Sequence, residues 1–545
     1  MDETLRQPLM HQGWTRRFTV VIACLAMGSV YLPLLPGVGR LLWNGLPAAP
    51  WNALFTDNQL PAALLATLIS TLISTLLALF ICLLLVVTLW PFAPWKWLQQ
   101  RLPVLLALPH VAFASGCLLL FAPSGWLSRL IINISIFDGP TVFIDRWGIG
   151  LGLVLAVKES WFLLWVCHAR LSESELTPRL NIAATLGYGP LQSRMFIVIP
   201  WLVPRLGSAL LAALAYSLSV VDVALIIGPG NPPTFAALAW SWLNDSDPAL
   251  QQKGEAASVL LMVLLAGLAA AGFGLWRIAC RQFYPRNGQR RAVSGQGMGI
   301  AMGGLLPLLG FMSVLILLAW SLAQGWFAPA LLPAGLSTEA WRSASLLPLL
   351  NAGWLALASS LVGLVVVLLW LETFGCRWQS LFWLPLCLPA LPLVMAQYPI
   401  LLWLGWDGSF WGVVWSHLLW VIPYMMLILM PAWQHLDPRL IITARTFGWS
   451  QLQVFWRVKW PLLMRAILSA VAVGFSVSIA QYLPTLFNGA GRWSTVTTEA
   501  VALSSGGDPQ ALAIQSLLQL LLPAGAFFIA ALLGWLSAIR HQGLR

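Results

Sequence analysis

The segment 181–200 reads NIAATLGYGPLQSRMFIVIP, and 442–461 reads ITARTFGWSQLQVFWRVKWP. At a constant offset of 261, Ala183/Ala444, Thr185/Thr446, Gly187/Gly448, Leu191/Leu452, Gln192/Gln453 and Pro200/Pro461 coincide without a gap. Downstream, the same offset pairs Thr234 with Thr495 and Asp247 and Pro248 with Asp508 and Pro509. A fixed long-range offset marks an internal duplication. The sequence therefore predicts two related units, 1–276 and 301–545, joined by an Arg-, Gly- and Ser-rich linker over 277–300.

Outward from this loop the chain is apolar. Hydrophobic residues make up 59% of its 545 positions and charged residues 9%, against about 25% charged in soluble domains. Runs long enough to cross a bilayer, about 20 residues each, predict twelve helices. They fall near 18–36, 61–90, 102–122, 147–167, 201–228, 256–276, 301–323, 344–371, 381–404, 411–430, 461–487 and 511–538. The short alternating segments of a transmembrane barrel are absent, so the expected fold is an all-α polytopic membrane protein. The first span follows Arg6, Arg16 and Arg17 without a small-x-small cleavage site and reads as a retained anchor.

With the N-terminus inside, the inner segments collect 22 of the 29 Lys and Arg residues, which predicts both termini in the cytoplasm. The net charge of +11 then reflects topology, and nucleic acid is not an expected partner. Seven cysteines are scattered through apolar spans and inner-face positions without C-x-x-C spacing, so neither a disulfide framework nor a metal cage is implied. His110, His168, His417 and His435 are far apart in sequence and show no metal spacing.

The repeated loop reads as helix, break, helix. Pro178 can open a short helix carrying Ala183 and Ala184, and Gly187 suits a tight turn or a close backbone approach. Leu186 and Phe447 supply a hydrophobic edge. An amphipathic segment resting on lipid headgroups accounts for one copy. Keeping the Gly-to-Pro spacing of thirteen residues in both copies fits docking on two equivalent partner subunits better.

These residues resemble the EAA loop of ABC importer permeases, which runs Glu-Ala-Ala, three residues, Gly, then a segment ending near Leu-Pro. Asn181 and Ile442 stand where that pattern has Glu, and Ile182 and Thr443 replace its first Ala. The second copy also resembles the family's lead-in, with Asp437 and Pro438 ahead of Gly448. Two six-span halves fused in one chain are similar to iron(III)- and thiamine-type permeases. The resemblance implies coupling loops at 168–200 and 432–460, with Ala183, Ala184, Leu186, Gly187, Pro200, Ala444, Phe447, Gly448 and Pro461 as docking residues. It further implies two separate ATPase subunits that bind the ATP, a periplasmic or lipid-anchored substrate-binding protein, and a bacterial inner-membrane location. A twelve-helix secondary transporter is the alternative; it explains the span number but not the duplicated loop.

Polar residues inside spans are costly and mark cavities or partners. Lys158 and Glu159 lie mid-span in VLAVKESWFLLW, and as helix neighbours they point about 100° apart, so a packing role and a pathway role both stand. After each loop, AYSLSVVD (215–222) resembles GFSVSIAQ (474–481). Ser217/Ser476, Ser219/Ser478 and Asp222/Gln481 become candidate path-lining pairs, though serines also pack helices by bonding back to carbonyls. The chain contains no G-x-x-x-x-G-K-[ST] loop, H-E-x-x-H or hydrolase elbow, and no catalytic residue, metal or bound cofactor is expected.

Overall fold

The computed structural model describes residues 7–44, 47–133, 144–172, 176–282, 295–378 and 382–542. The centre of the expected linker, 283–294, therefore lies outside the described residues. In chain order the principal helices are α1 Gln7–Tyr31, α2 Leu34–Asn44, α3 Leu60–Leu89, α4 Leu102–Ala107, α5 His110–Phe121, α6 Ile149–Ser172, α7 Leu176–Thr185, α8 Gly207–Ser219, α9 Asp222–Ile227 and α10 Phe235–Leu243. They continue with α11 Pro248–Gln282, α12 Gln296–Leu322, α13 Leu347–Phe374, α14 Ala390–Leu404, α15 Phe410–Gln434, α16 Pro438–Thr446, α17 Trp460–Ile479, α18 Val496–Ser505 and α19 Pro509–Gln542. A two-residue β-ladder, Ala323–Gln324 with Gly335–Leu336, is the sole sheet among the described residues.

Three pairs of helices begin at the repeat offset: α6 and α15 at Ile149 and Phe410, α10 and α18 at Phe235 and Val496, α11 and α19 at Pro248 and Pro509. Eleven helices among the described residues are long and apolar enough to cross a membrane. The expected ninth span, 381–404, is not one of them. A single turn, Pro385–Cys387, is followed by an extended Leu388 and Pro389, and α14 then runs for 15 residues. Hydropathy reads through that break, whereas Pro389 has no N–H to give the ladder and forces Leu388 out of the helical region. The expected third span, 102–122, breaks in the same way at Leu108 and Pro109, between α4 and α5.

A helix interrupted inside the apolar layer leaves carbonyls and N–H groups without partners, each of which must be satisfied locally. Lys158, on the third turn of α6, does this at the first break. Its buried ammonium donates to the Leu105 carbonyl at 3.3 Å and to the Leu108 carbonyl, and it lies 5.0 Å from the Trp161 ring. At the second break the Ser219 hydroxyl, at the end of α8, accepts from the Ala390 N–H that opens α14 (3.1 Å). The Thr67 hydroxyl on α3 likewise accepts from the first N–H of α10, Phe235, at 2.7 Å.

The N-terminal and C-terminal helices exchange their leading elements. α12 packs on α3 and α5, and α1 packs on α13, with the Trp415 indole N–H donating to the Ser29 carbonyl at 2.9 Å. Small residues make these crossings close. A Cβ on Gly116 would sit 2.5 Å from the Ser313 carbonyl of α12, and one on Gly37 of α2 would fall within the van der Waals radius of the Ala396 carbonyl of α14. Buried Cys82 and Cys167 bring their sulfurs to 3.1 Å between α3 and α6, a juxtaposition that sequence spacing does not announce.

Two substitutions test this packing. Gly116→Val or Gly37→Val should cost about 1–3 kcal/mol of stability by overpacking, read as a lower melting temperature of the purified chain, while Gly39→Ala, whose Cβ would meet nothing within 4 Å, should leave it unchanged. Lys158→Met should take from the Leu108 carbonyl its ammonium donor and cost about 1–3 kcal/mol in the same assay, more than Ser476→Ala, whose hydroxyl bonds only back to its own helix at Ala472.

Candidate functional site

The repeated loops fold alike. α7 and α16 each end in a left-handed glycine, Gly187 at φ 84° and Gly448 at φ 79°, a backbone state that side-chain-bearing residues rarely adopt. The Tyr188 N–H reaches the Ala183 carbonyl (3.0 Å) and the Gly187 N–H reaches that of Ala184 (2.9 Å); in the second copy Trp449 reaches Ala444 (3.3 Å) and Gly448 reaches Arg445 (2.9 Å). This is the paired-bond Schellman stop. A Cβ on Gly448 would meet nothing within 4 Å, so there the glycine answers to backbone conformation and not to a close approach within the chain.

Beyond each turn the chain passes through a π-helical stretch, Arg194–Val198 and Phe455–Lys459, again 261 residues apart, before Pro200 and Pro461 lead into the next span. Wider turns of this kind are frequent at functional sites. Both stretches are tied to the end of a preceding long helix, by different chemistry. Buried Arg194 donates to the carbonyls of Trp90 (2.5 Å) and Thr88 (3.5 Å) at the end of α3. Lys459 pairs with Glu372 of α13 at 2.6 Å, and Gln451 donates to the same carboxylate at 3.2 Å. In the sequence Arg194 and Lys459 stand out only as two of the positive charges of the inner segments.

Ala183 and Ala444 are buried against their own loops, and Ala184 is exposed. Leu186, Phe447, Ile182 and Ile442 stand clear of the chain, each more than half exposed. The two loops thus present Leu186 and Phe447 at matching positions, each with a further exposed Ile, on short, firmly terminated helices.

Within the spans, the six candidate path residues divide. Ser217 is buried with its hydroxyl 2.9 Å from that of Ser74, Ser219 caps α14, and Ser478 is buried 2.8 Å from His417 Nδ1. Ser476, Asp222 and Gln481 are only half-buried; Gln481 donates to the Val477 carbonyl at 3.2 Å. His417, which bonds Thr485 at 3.0 Å through its other nitrogen, belongs to one of two buried polar networks of the C-terminal helices; in the other, Asn488, Ser416 and Gln397 bond one another.

Around Asp222 the structure assembles residues that sequence spacing kept apart. Glu159 lies 3.5 Å from His110 Nε2 and also interacts electrostatically with Lys158. The His110 ring stacks obliquely on Tyr216 at 4.7 Å. Asp222 interacts electrostatically with His110, Tyr216 and Tyr482, and Glu159 with Tyr216 and Tyr424. His110, dismissed as isolated in one dimension, is central here; the tyrosines carry no local motif that could have flagged them.

At the ends of the helices opposite the paired loops lie two further cavities. One, of 690 Å³, is lined by Arg40, Trp240, Asp245, Glu255, Tyr398 and Phe487; the other, of 360 Å³, by Leu118, Arg129, Trp320, Leu503, Asp508 and Pro509. In each, the stretch around one of the Asp-Pro pairs meets the end of α14 or α5.

No protein-family model matches the chain. It is 47% identical over 97% of its length, and 99% of the relative's, to the inner membrane ABC transporter permease protein YnjC of Escherichia coli. Shorter stretches are similar to proteins named spermidine/putrescine transport system permease protein PotC homolog: 32% identical in Mycoplasma genitalium, over 23% of this chain and 45% of that protein, and 29% in Mycoplasma pneumoniae, over 21% and 41%. Near-full-length similarity of this strength, on an all-helical membrane-spanning fold, is decisive: the chain belongs to the family of inner-membrane ABC transporter permeases.

Proposed function

We propose that this permease works by alternating access, driven through the two loops at 168–200 and 432–460 by ATPase subunits that bind the ATP. The observation that carries the reading is the pair of Schellman-stopped helices, α7 and α16, with matching exposed apolar tips and a π-helical lead into the following span at the same offset. An ATPase groove that accepts Leu186 would accept Phe447, its equivalent at the repeat offset. Arg194 on the α3 carbonyls and Lys459 on Glu372 would then pass a displacement of either loop into the membrane helices.

In this reading 1–276 and 301–545 are two repeats of like orientation, both termini face the cytoplasm, and an external binding protein delivers the solute to the opposite face. The two cavities there, and segments 229–253 and 489–510 around them, offer a matched pair of contacts for such a partner. Asp222, Ser476 and Gln481, half-buried between the repeats, are the path-lining residues; Ser217, Ser219 and Ser478 hold the helices in place.

Leu186→Asp combined with Phe447→Asp tests the loops without touching the glycine turns. Surface changes of this kind shift stability by about 0.5 kcal/mol at most. The double variant, solubilised gently from its native membrane, should elute and melt as the parent does but lose the ATPase that co-purifies with the parent; retention of the ATPase at parental yield would refute the docking role.

A further inference from the structure

We propose that the solute enters this permease on one side only, through the seam where α10 meets the turn Pro484–Asn488, and that Trp240, Tyr398 and Phe487 are the gate there. The inference rests on the permease reading and adds to it the point of entry. The Phe487 ring lies 5.3 Å from that of Trp240 and 4.6 Å from that of Tyr398 on α14. Trp240 belongs to 1–276 and the other two to 301–545, so these rings join the halves. All three are half-buried and line the 690 Å³ cavity, a volume within the range of small-molecule sites, about 300–1,000 Å³.

At the repeat offset, 484–488 correspond to 223–227 of α9 and α10 corresponds to α18, so the packing of α9 on α18 is the equivalent seam. It is built differently. Val223, Ile226 and Ile227 of α9 and Ala500 and Val501 of α18 are each less than one-tenth exposed and belong to the main apolar core. Val501 stands at the position that Trp240 holds in the first half. The 360 Å³ cavity on that side touches α18 at Leu503 and Ser504 and, among the described residues, no part of α9. One outer cavity thus reaches the boundary between the halves, and the other stops short of it.

Parting the two seams carries unequal penalties. Rings that already face open volume give up their mutual contact and little burial, whereas separating α9 from α18 exposes several fully buried aliphatic side chains. A displacement of the halves therefore opens the aromatic seam and hinges on the aliphatic one. Side chains hold the gate turn in place. Thr485 bonds His417 at 3.0 Å, and Asn488 bonds Ser416 and Gln397, so the networks of the C-terminal helices position Phe487 between them. The turn is π-helical where α9 is a regular α-helix, and the chain leaves it through left-handed Ala490 and Gly491, at φ 48° and 68°. Both features gather at functional sites.

The test is thiol labelling from the outer face, on spheroplasts carrying the full chain with its ATPase. The probe site is Gln481→Cys, which precedes Phe487 by six residues on a span that runs outward in the permease reading. The reagent is a membrane-impermeant sulfonated maleimide, with the parent chain and its seven native cysteines as blank. Phe487→Ala, and separately Trp240→Ala in the opposite half, should each raise the labelling rate at least about tenfold, because a closed gate leaves its open state about 10% populated or less. Ile226→Ala combined with Val501→Ala, which takes a comparable volume from the aliphatic seam, should leave the rate unchanged. Parental melting temperature and ATPase yield show that each variant is folded and assembled. Equal acceleration through both seams overturns one-sided entry. No acceleration with Phe487→Ala and Trp240→Ala, or fast labelling before either change, removes these rings as a gate and overturns the proposal as well. These outcomes leave the permease reading intact; that reading falls, and this inference with it, if no ATPase co-purifies with the parent chain.

Discussion

In hydrocarbon every backbone N–H and C=O needs a partner from the protein itself, and this chain interrupts its helices several times within the apolar layer. Each interruption therefore carries a debt of polar groups. Lys158 on the α4 carbonyls, Ser219 on the first N–H of α14 and Thr67 on the first N–H of α10 discharge it. At the end of α17 the Thr497 hydroxyl donates to the Ile479 carbonyl at 2.5 Å and is itself held by Gln519 at 2.7 Å. Much of what looks like functional polarity in an apolar sequence is the chemistry of ending a helix where water is absent.

Once those residues are accounted for, the remaining polar groups are few. The C-terminal helices bury theirs in networks around His417 and Asn488; the N-terminal helices gather buried Glu159 with half-buried Asp222 and His110. The backbone architecture is close to symmetric, with helices and π-turns starting at one offset, while the side chains at the centre are not.

The parts legible in the sequence were those with one-dimensional signals. Composition fixed the solvent, the constant offset revealed the paired loops, and Gly187 and Gly448 announced turns that the positive φ values bear out. Span 381–404 was overdrawn because averaged hydropathy is blind to a Leu-Pro break; the recurrence of LALP at 106–109 and LCLP at 386–389 was the available clue. The central cluster was not legible. Its six residues come from five separate stretches of chain, and the tyrosines that complete it sit in segments indistinguishable from ordinary apolar helix. Lys158 could not be assigned a role either, since its carbonyl partners lie about fifty residues away and only the fold brings them within reach.

The exchange of leading helices has a consequence for how the molecule is made. α1 rests on α13 and α15, which follow it by more than 300 residues. At about 5–20 residues per second of synthesis, α1 waits on the order of 15–70 s before its seat has been translated. A chain that began as two separate genes would leave that encounter to diffusion in the plane of the bilayer; fusing them turns it into a timed, intramolecular event and guarantees that each first helix finds one partner of the right kind.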